Sequence, residues 1–264
     1  MNRINELFAG HQDDSKIMSL FLTAGYPDLD STADLIIGLD ENGTDMVELG
    51  MPFSDPLADG PTIQYSSSKA LENGITIGRI FEMVKQVRKK SEIPIILMGY
   101  LNPILQYGEQ QFCEQAKACG VDGLIVPDLP PEESSTLEKS ARANDLSLVY
   151  LVAPNTRDER MQLIDEKSDG FVYCVSVTGV TGAREGEEVS RSVSRFIERV
   201  EKNITKNPIM IGFGIKSHED AQKIAARADG FIVGSALINT IREHYPAMGW
   251  KEKVFDFVKH LKYG

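Results

Sequence analysis

The sequence predicts an α/β fold, a closed (β/α)8 TIM barrel with an extra N-terminal helix, in one domain spanning residues 1–264. Three observations carry this expectation. Eight short apolar runs alternate with polar segments of helical spacing. The repeat averages about 30 residues, as a βαβ unit requires. No Pro/Gly/Ser linker, charge block or low-complexity tract divides the chain.

The runs begin near Ile17, Met46, Pro94, Gly123, Leu146, Gly170, Pro208 and Gly230. Most are apolar almost throughout, the pattern of strands covered by helices on one face and by a barrel interior on the other. Asn2 to Gly10 predicts the extra helix, lying under the barrel. Asp30-Ser31-Thr32 offers cap residues ahead of Leu35, Ile36 and Leu39. Pro130-Pro131-Glu132-Glu133 predicts a helix start, and Ser217 with Asp220 resembles a capping box. Asp122-Gly123, Asp169-Gly170 and Asp229-Gly230 each open an apolar run, and Asp45 precedes Met46. All follow helical periodicity, so they read as helix-to-strand turns rather than hairpins. The longest intervals, 48 and 38 residues, follow the second and sixth runs. Excess loop after a barrel strand falls on the C-terminal face, where barrel chemistry sits. A doubly wound open sheet is the alternative, because closure is not written in a sequence.

Composition narrows the functional classes. With 42% apolar and 25% charged residues, the chain can bury a core without a disulfide or metal staple. A net charge of −11 argues against nucleic acid or an anionic membrane as partner. No apolar stretch has the length of a signal peptide or a membrane span. Cys113, Cys119 and Cys174 are an odd number without a CxxC pair, and they read as reduced, buried cytoplasmic residues.

The second run holds Glu48 between Val47 and Leu49. A buried carboxyl is costly unless protonated, paired or useful, and its place at a strand end favours catalysis over a satisfied core residue. Desolvation raises its pKa, which suits a group that both gives and takes a proton near neutrality. Asp55 and Asp59 follow in a loop stiffened by Pro52, Pro56 and Pro61, and spacing alone does not say which of them acts. Asp59 is placed to return over the strand end toward Glu48. Glycines end or follow the sixth, seventh and eighth runs: Gly179 and Gly182, Gly212 and Gly214, and Gly234 before Ser235. Accessible backbone N–H groups backed by a helix N-terminus bind phosphate. The four histidines fall outside strand ends, which disfavours a histidine triad or metal site. Lys216 is the lysine nearest a strand end and the candidate for an imine mechanism. Tyr100 and Tyr173 read equally as pocket or core aromatics.

Together ELGMPFSDPLADGPTIQ (Glu48–Gln64), MGYLNP (Met98–Pro103), SVTGVTG (Ser176–Gly182), GFGI (Gly212–Ile215) and GSA (Gly234–Ala236) resemble the tryptophan synthase alpha chain family. The likeness runs from LFLTAGYPD (Leu20–Asp28) to the last strand, and the first motif is the most specific. The resemblance implies a (β/α)8 barrel that cleaves indole-3-glycerol phosphate to indole and glyceraldehyde 3-phosphate. It implies Glu48 as the acid–base residue and Asp59 as the group that engages the indole N–H. Gly182, Gly214, Gly234 and Ser235 correspond to the phosphate cup. Phe21, Tyr100, Tyr173 and Phe213 match pocket positions, and Thr181 matches the residue that meets the Asp55–Asp59 loop on closure. The resemblance also implies no metal or organic cofactor in this chain. The implied partner is a pyridoxal-phosphate beta chain in an α2β2 complex, with Pro52, Asp55 and Asn102 as contacts or couplers. Two other readings stand beside it: an imine-forming barrel lyase or isomerase using Lys216, and a barrel kept as a binding module that activates a beta chain.

Overall fold

All eight apolar runs become parallel strands, each opening within two residues of the start read from the sequence. The computed structural model describes residues 2–11, 16–175, 187–212 and 214–264, with the side chains of 187–193 left aside. In chain order the first half holds α1 (Arg3–Gly10), β1 (Ile17–Thr23), α2 (Ser31–Glu41), β2 (Met46–Gly50), α3 (Pro61–Glu72), α4 (Ile77–Val87), β3 (Ile95–Met98), α5 (Leu101–Tyr107), α6 (Glu109–Cys119) and β4 (Gly123–Ile125). The second half holds α7 (Ser135–Ala143), β5 (Ser147–Val152), α8 (Asp158–Lys167), β6 (Val172–Val175), α9 (Glu187–Asn203), β7 (Ile209–Gly212), α10 (His218–Ile224), β8 (Gly230–Val233), α11 (Ser235–His244) and α12 (Trp250–Tyr263).

Every strand pairs with its sequence neighbour, and β1 pairs with β8 from Ile17↔Gly230 to Leu20↔Val233. That last pairing closes the barrel and removes the open-sheet alternative. Inside, Ile17, Met46, Ile96, Ile125, Val149, Phe171, Tyr173, Met210 and Ile232 form one apolar cluster. A larger cluster lies between the strands and the helical ring. The two-sided burial explains why the runs are apolar without alternation.

The helix-to-strand aspartates follow a rule. Asp45, before β2, accepts the amide of Met18 in β1 at 2.7 Å. Asp122, before β4, accepts the amide of Ile95 in β3 at 2.9 Å, and Asp229, before β8, accepts that of Ile209 in β7 at 2.7 Å. Each carboxylate satisfies an otherwise open N–H at the first or second residue of the preceding strand. Asp122 carries the most: Arg3 Nη1 and Arg88 Nη2 each donate to it at 2.9 Å, and its side chain is 1% exposed.

Helix α1 seals the N-terminal end of the barrel. Asn2 caps it by accepting the Asn5 amide, and the Asn2 side-chain amide donates to Asp122 O and to Ser147 Oγ. Ile4, fully buried, occupies the space a side chain at 123 would need: a Cβ on Gly123 would lie 2.9 Å from Ile4 Cδ1. With its floor closed, the barrel is left with the C-terminal mouth for chemistry.

Two helix starts differ from expectation. The residue that caps α2 is Asp28, which accepts the Asp30 and Ser31 amides, while Asp30 makes no cap bond. Pro130 to Glu133 form a turn, and α7 begins only at Ser135. Proline rings fit that turn as well as a first helical position. The long interval after β2 holds the loop 51–60 and two helices, α3 and α4; that after β6 lies partly outside the described residues.

Asp122→Ala leaves the Arg88 guanidinium, 10% exposed, without its carboxylate and the β3 amide without its acceptor. The expected loss is about 3–5 kcal/mol of unfolding free energy, read from urea unfolding; a loss under 1 kcal/mol would contradict this account of the network.

Candidate active site

Glu48 sits at the middle of β2 with its side chain turned into the barrel and no exposed surface. Its Oε1 accepts a hydrogen bond from Ser19 Oγ of β1 at 3.1 Å. Among the described residues its buried Oε2 has no hydrogen-bond partner. Burial lifts the carboxyl to about 8, and the Ser19 bond opposes part of the rise. At neutral pH this group holds its proton.

Asp59 reaches the same region from the loop 51–60. The loop is pinned by its own backbone bonds, Leu57 N to Asp55 O and Asp59 N to Pro56 O. Tyr100, at the N-terminus of α5, holds it from the side, its hydroxyl accepting the Ala58 amide at 2.9 Å. The same hydroxyl meets the Asp59 carboxylate. Burial raises Asp59 to about 6, the Tyr100 bond pulling the other way. Tyr100 itself is pushed to about 12 by burial and by the Asp59 charge. Asp55 remains exposed and accepts only the neighbouring Ser54 hydroxyl at 2.8 Å. The ambiguity between the two aspartates is thus resolved by the loop's tether, which turns Asp59 inward.

Tyr173 of β6 joins the two acids. It is buried, and its hydroxyl is raised well above 10 by burial first, with the Glu48 and Asp59 charges adding to it. The phenol therefore stays protonated beside both carboxyls. Its ring lies where a side chain at 212 would stand: a Cβ on Gly212 would be 2.6 Å from the Tyr173 oxygen. Phe21 of β1 covers Gly50 in the same way, its ring standing where a Cβ at position 50 would lie. Glycine at these strand ends gives the two rings room to line the mouth.

Of the residues read as an anion seat, Gly214, Gly234 and Ser235 lie among the described residues. Gly234 is the N-cap of α11, the first turn of that helix carries no acidic residue, and Ser235 is exposed. Gly214 is exposed just past β7 with φ +55°, a conformation that favours glycine. The α11 N–H groups thus point their positive end at the barrel mouth. Thr181, Gly182 and Phe213 lie outside the described residues.

Pro52 is half-buried and Asn102 exposed on the rim. Beside them Leu57 is 94% and Leu105 51% exposed. Lys216 is exposed. The cysteines are buried thiols that burial pushes up, Cys113 to about 12 and Cys119 to about 11. Sequence reasoning missed Ser19, although a polar residue inside the apolar run IMSLFLT was the available signal. It also missed Asp128, whose Oδ1 accepts the Leu101 amide and steadies the start of α5.

A closed (β/α)8 barrel with two raised-pKa carboxyls and an open helix N-terminus at its C-terminal mouth defines a class: barrel enzymes that do acid–base chemistry on an anionic substrate. The comparisons narrow it. A profile of the tryptophan synthase alpha chain matches residues 8–261. The tryptophan synthase alpha chain of Christiangramia forsetii is 44% identical over 99% of both chains. The tryptophan synthase alpha subunit of Legionella pneumophila strain Paris superposes with a TM-score of 0.89 at 39% identity, covering 99% of this chain and 97% of that one. A chain of the tryptophan synthase complex of Pyrococcus furiosus gives 0.84 at 39% identity over 92% and 96%. The chain belongs to the tryptophan synthase alpha chain family. Its activity is that of a carbon–carbon lyase, the alpha reaction of tryptophan biosynthesis, in which indole-3-glycerol phosphate is cleaved.

The raised pKa of Glu48 makes stability depend on pH. The folded chain keeps a proton that the unfolded chain releases, so the contribution is fully present below about 4.5 and is lost as pH rises toward about 8. The unfolding free energy of the wild type minus that of Glu48→Gln should fall across this window in urea titrations. A difference constant with pH would show that the carboxyl is not held neutral.

Proposed function

We propose that Glu48 carries both proton transfers of the cleavage and that Asp59 carries the charge. Indole-3-glycerol phosphate breaks when C3 of the indole is protonated, the side-chain hydroxyl is deprotonated and positive charge on the ring nitrogen is supported. Glu48 starts as the neutral acid and delivers its proton to C3. The resulting iminium N–H faces the Asp59 carboxylate. Glu48, now ionised, takes the hydroxyl proton as the carbon–carbon bond breaks, its electrons return to the ring, and indole and glyceraldehyde 3-phosphate leave. One proton goes out and one returns, so the carboxyl ends as it began. The observation that carries this reading is the pair of lifted carboxyls: between about 6 and about 8 the first is neutral and the second charged.

Phe21, Tyr100, Tyr173 and Phe213 are the proposed walls for the indole ring. Gly182, Gly214, Gly234 and Ser235 are the proposed phosphate seat, where N–H dipoles offset the repulsion of a chain carrying −11. Thr181 is assigned to loop closure. Two proton transfers and one charge stabiliser require no cofactor on this chain; pyridoxal phosphate is assigned to a beta-chain partner. That partner, in an α2β2 assembly, is supported by the likeness to the Pyrococcus complex and by the rim of Pro52, Asp55, Asn102, Leu57 and Leu105. A single barrel domain acting in the cytoplasm completes the proposal. Among the described residues no helix is long and apolar enough to cross a membrane.

Glu48→Gln should bind substrate and lose turnover; substantial residual indole release would remove it from the chemistry. Asp59→Asn should lose roughly 10²-fold. In the wild type kcat/KM should plateau between about pH 6 and about pH 8, falling below as Asp59 gains a proton and above as Glu48 loses one. The acid limb should vanish in Asp59→Asn. For the partner, mixing with a purified beta chain should yield a larger species in the ultracentrifuge, and Leu57→Asp should weaken it; a mixture sedimenting as two separate species would reject the assembly.

A further inference from the structure

We infer that Ser19 is a positioning residue for Glu48, its hydroxyl anchoring Oε1 so that Oε2 is the oxygen that exchanges protons with the substrate. The inference rests on the role proposed for Glu48. Ser19 Oγ donates to Oε1 at 3.1 Å, both residues have no exposed surface, and the buried Oε2 has no partner among the described residues. The carboxyl is thus asymmetric before any substrate arrives. The terminal torsion of a Glu side chain is broad and roughly two-fold, so a carboxyl among apolar neighbours would otherwise present either oxygen.

The polar groups around Glu48 are few. Ser19 comes from β1, the protonated Tyr173 hydroxyl from β6 and the Asp59 carboxylate from the loop after β2, with Tyr100 behind Asp59. The interior side chains Ile96, Ile125, Met210 and Ile232 are apolar. Neither Asp59 nor the Tyr173 hydroxyl holds a carboxylate oxygen of Glu48 in place. Of this set, only the Ser19 hydroxyl makes a hydrogen bond to Glu48.

The barrel interior shows what a merely structural serine looks like. Ser147 of β5 also points inward, but its hydroxyl accepts from Asn2 in the floor, far along the barrel from the mouth. Ser19 has no such floor contact; its bond goes to the acid.

A hydroxyl fits this task better than a cation. Its hydrogen bond to a carboxylate is stronger than to a neutral carboxyl, so the anchor tightens at the moment Glu48 has protonated C3. It then relaxes when Oε2 takes the hydroxyl proton. A lysine or arginine in its place would hold Glu48 ionised throughout and cost the acid its proton.

The test is Ser19→Ala and Ser19→Thr beside Glu48→Gln, with kcat, KM, the pH profile of kcat/KM and thermal melting measured for each. Ser19→Ala should fold, keep KM within about twofold and lose at least about tenfold in kcat. Its alkaline limb should move up by about one pH unit, because the carboxylate has lost its donor. Ser19→Thr keeps the hydroxyl and should hold that limb at the wild-type position. If Glu48→Gln is inactive while Ser19→Ala leaves both kcat and the limb unchanged, the anchor is overturned and the role of Glu48 survives. If kcat and melting temperature fall together with the limb fixed, Ser19 is a packing residue and the inference fails. An active Glu48→Gln overturns the role of Glu48 and the anchor with it.

Discussion

One carboxyl shut inside an apolar barrel sets the terms for the rest of the site. Among the described residues no cation and no backbone amide stabilises the charge of Glu48, which has no exposed surface, and only the Ser19 hydroxyl moderates the effect of burial. In water a glutamic acid would be ionised at neutral pH and useless as a proton donor. Enclosed by Ile96, Ile125 and Met210 it keeps its proton, and the same enclosure makes surrender of that proton to a carbon atom thermodynamically accessible. Asp59, half-buried and bonded by Tyr100, is lifted less and stays ionised at the same pH. Two residues of similar chemistry thereby hold opposite protonation states because one is on a strand and the other on a loop.

The fold supplies that difference in depth. Strands β1 to β8 close into a rigid wall, α1 seals its floor, and the aspartates at the helix-to-strand turns fix strand starts against their neighbours. Glu48 inherits that rigidity. Asp59 belongs to a segment held by a few hydrogen bonds, among them the cross-loop bond from Ala58 N to the Tyr100 hydroxyl. A rigid acid and a tethered, adjustable anion suit a reaction in which the proton donor must be placed to within a fraction of an ångström while substrate enters past the loop.

The strands were readable because each apolar run is buried on both faces, a condition that leaves little freedom in composition. Glu48 was readable for the converse reason: a carboxyl in such a run contradicts its surroundings. What resisted reading depended on contacts between distant residues. Nothing in SDPLADG distinguishes Asp55 from Asp59 until Tyr100, more than forty positions later, takes hold of Ala58. Ser19 is an unremarked small residue until the pairing of β1 with β2 brings its hydroxyl to the acid. Asp28 outcompetes Asp30 as the α2 cap because its carboxylate sits where it can take the Ser31 amide and hydroxyl together. Local propensity names the candidates for a cap, and the backbone's path selects among them.

The floor of the barrel bears on how the chain is made. Asn2 and Ile4 leave the ribosome well before their seat, which consists of Asp122, Gly123, Ser147 and Gly170. At about 5–20 residues per second, translation takes on the order of ten seconds or more to deliver those positions. Until then the opening helix has nothing to rest on, and its apolar face is bare to whatever chaperone attends the nascent chain. This helix is thus made long before it can be fixed, and the barrel's floor is stoppered late.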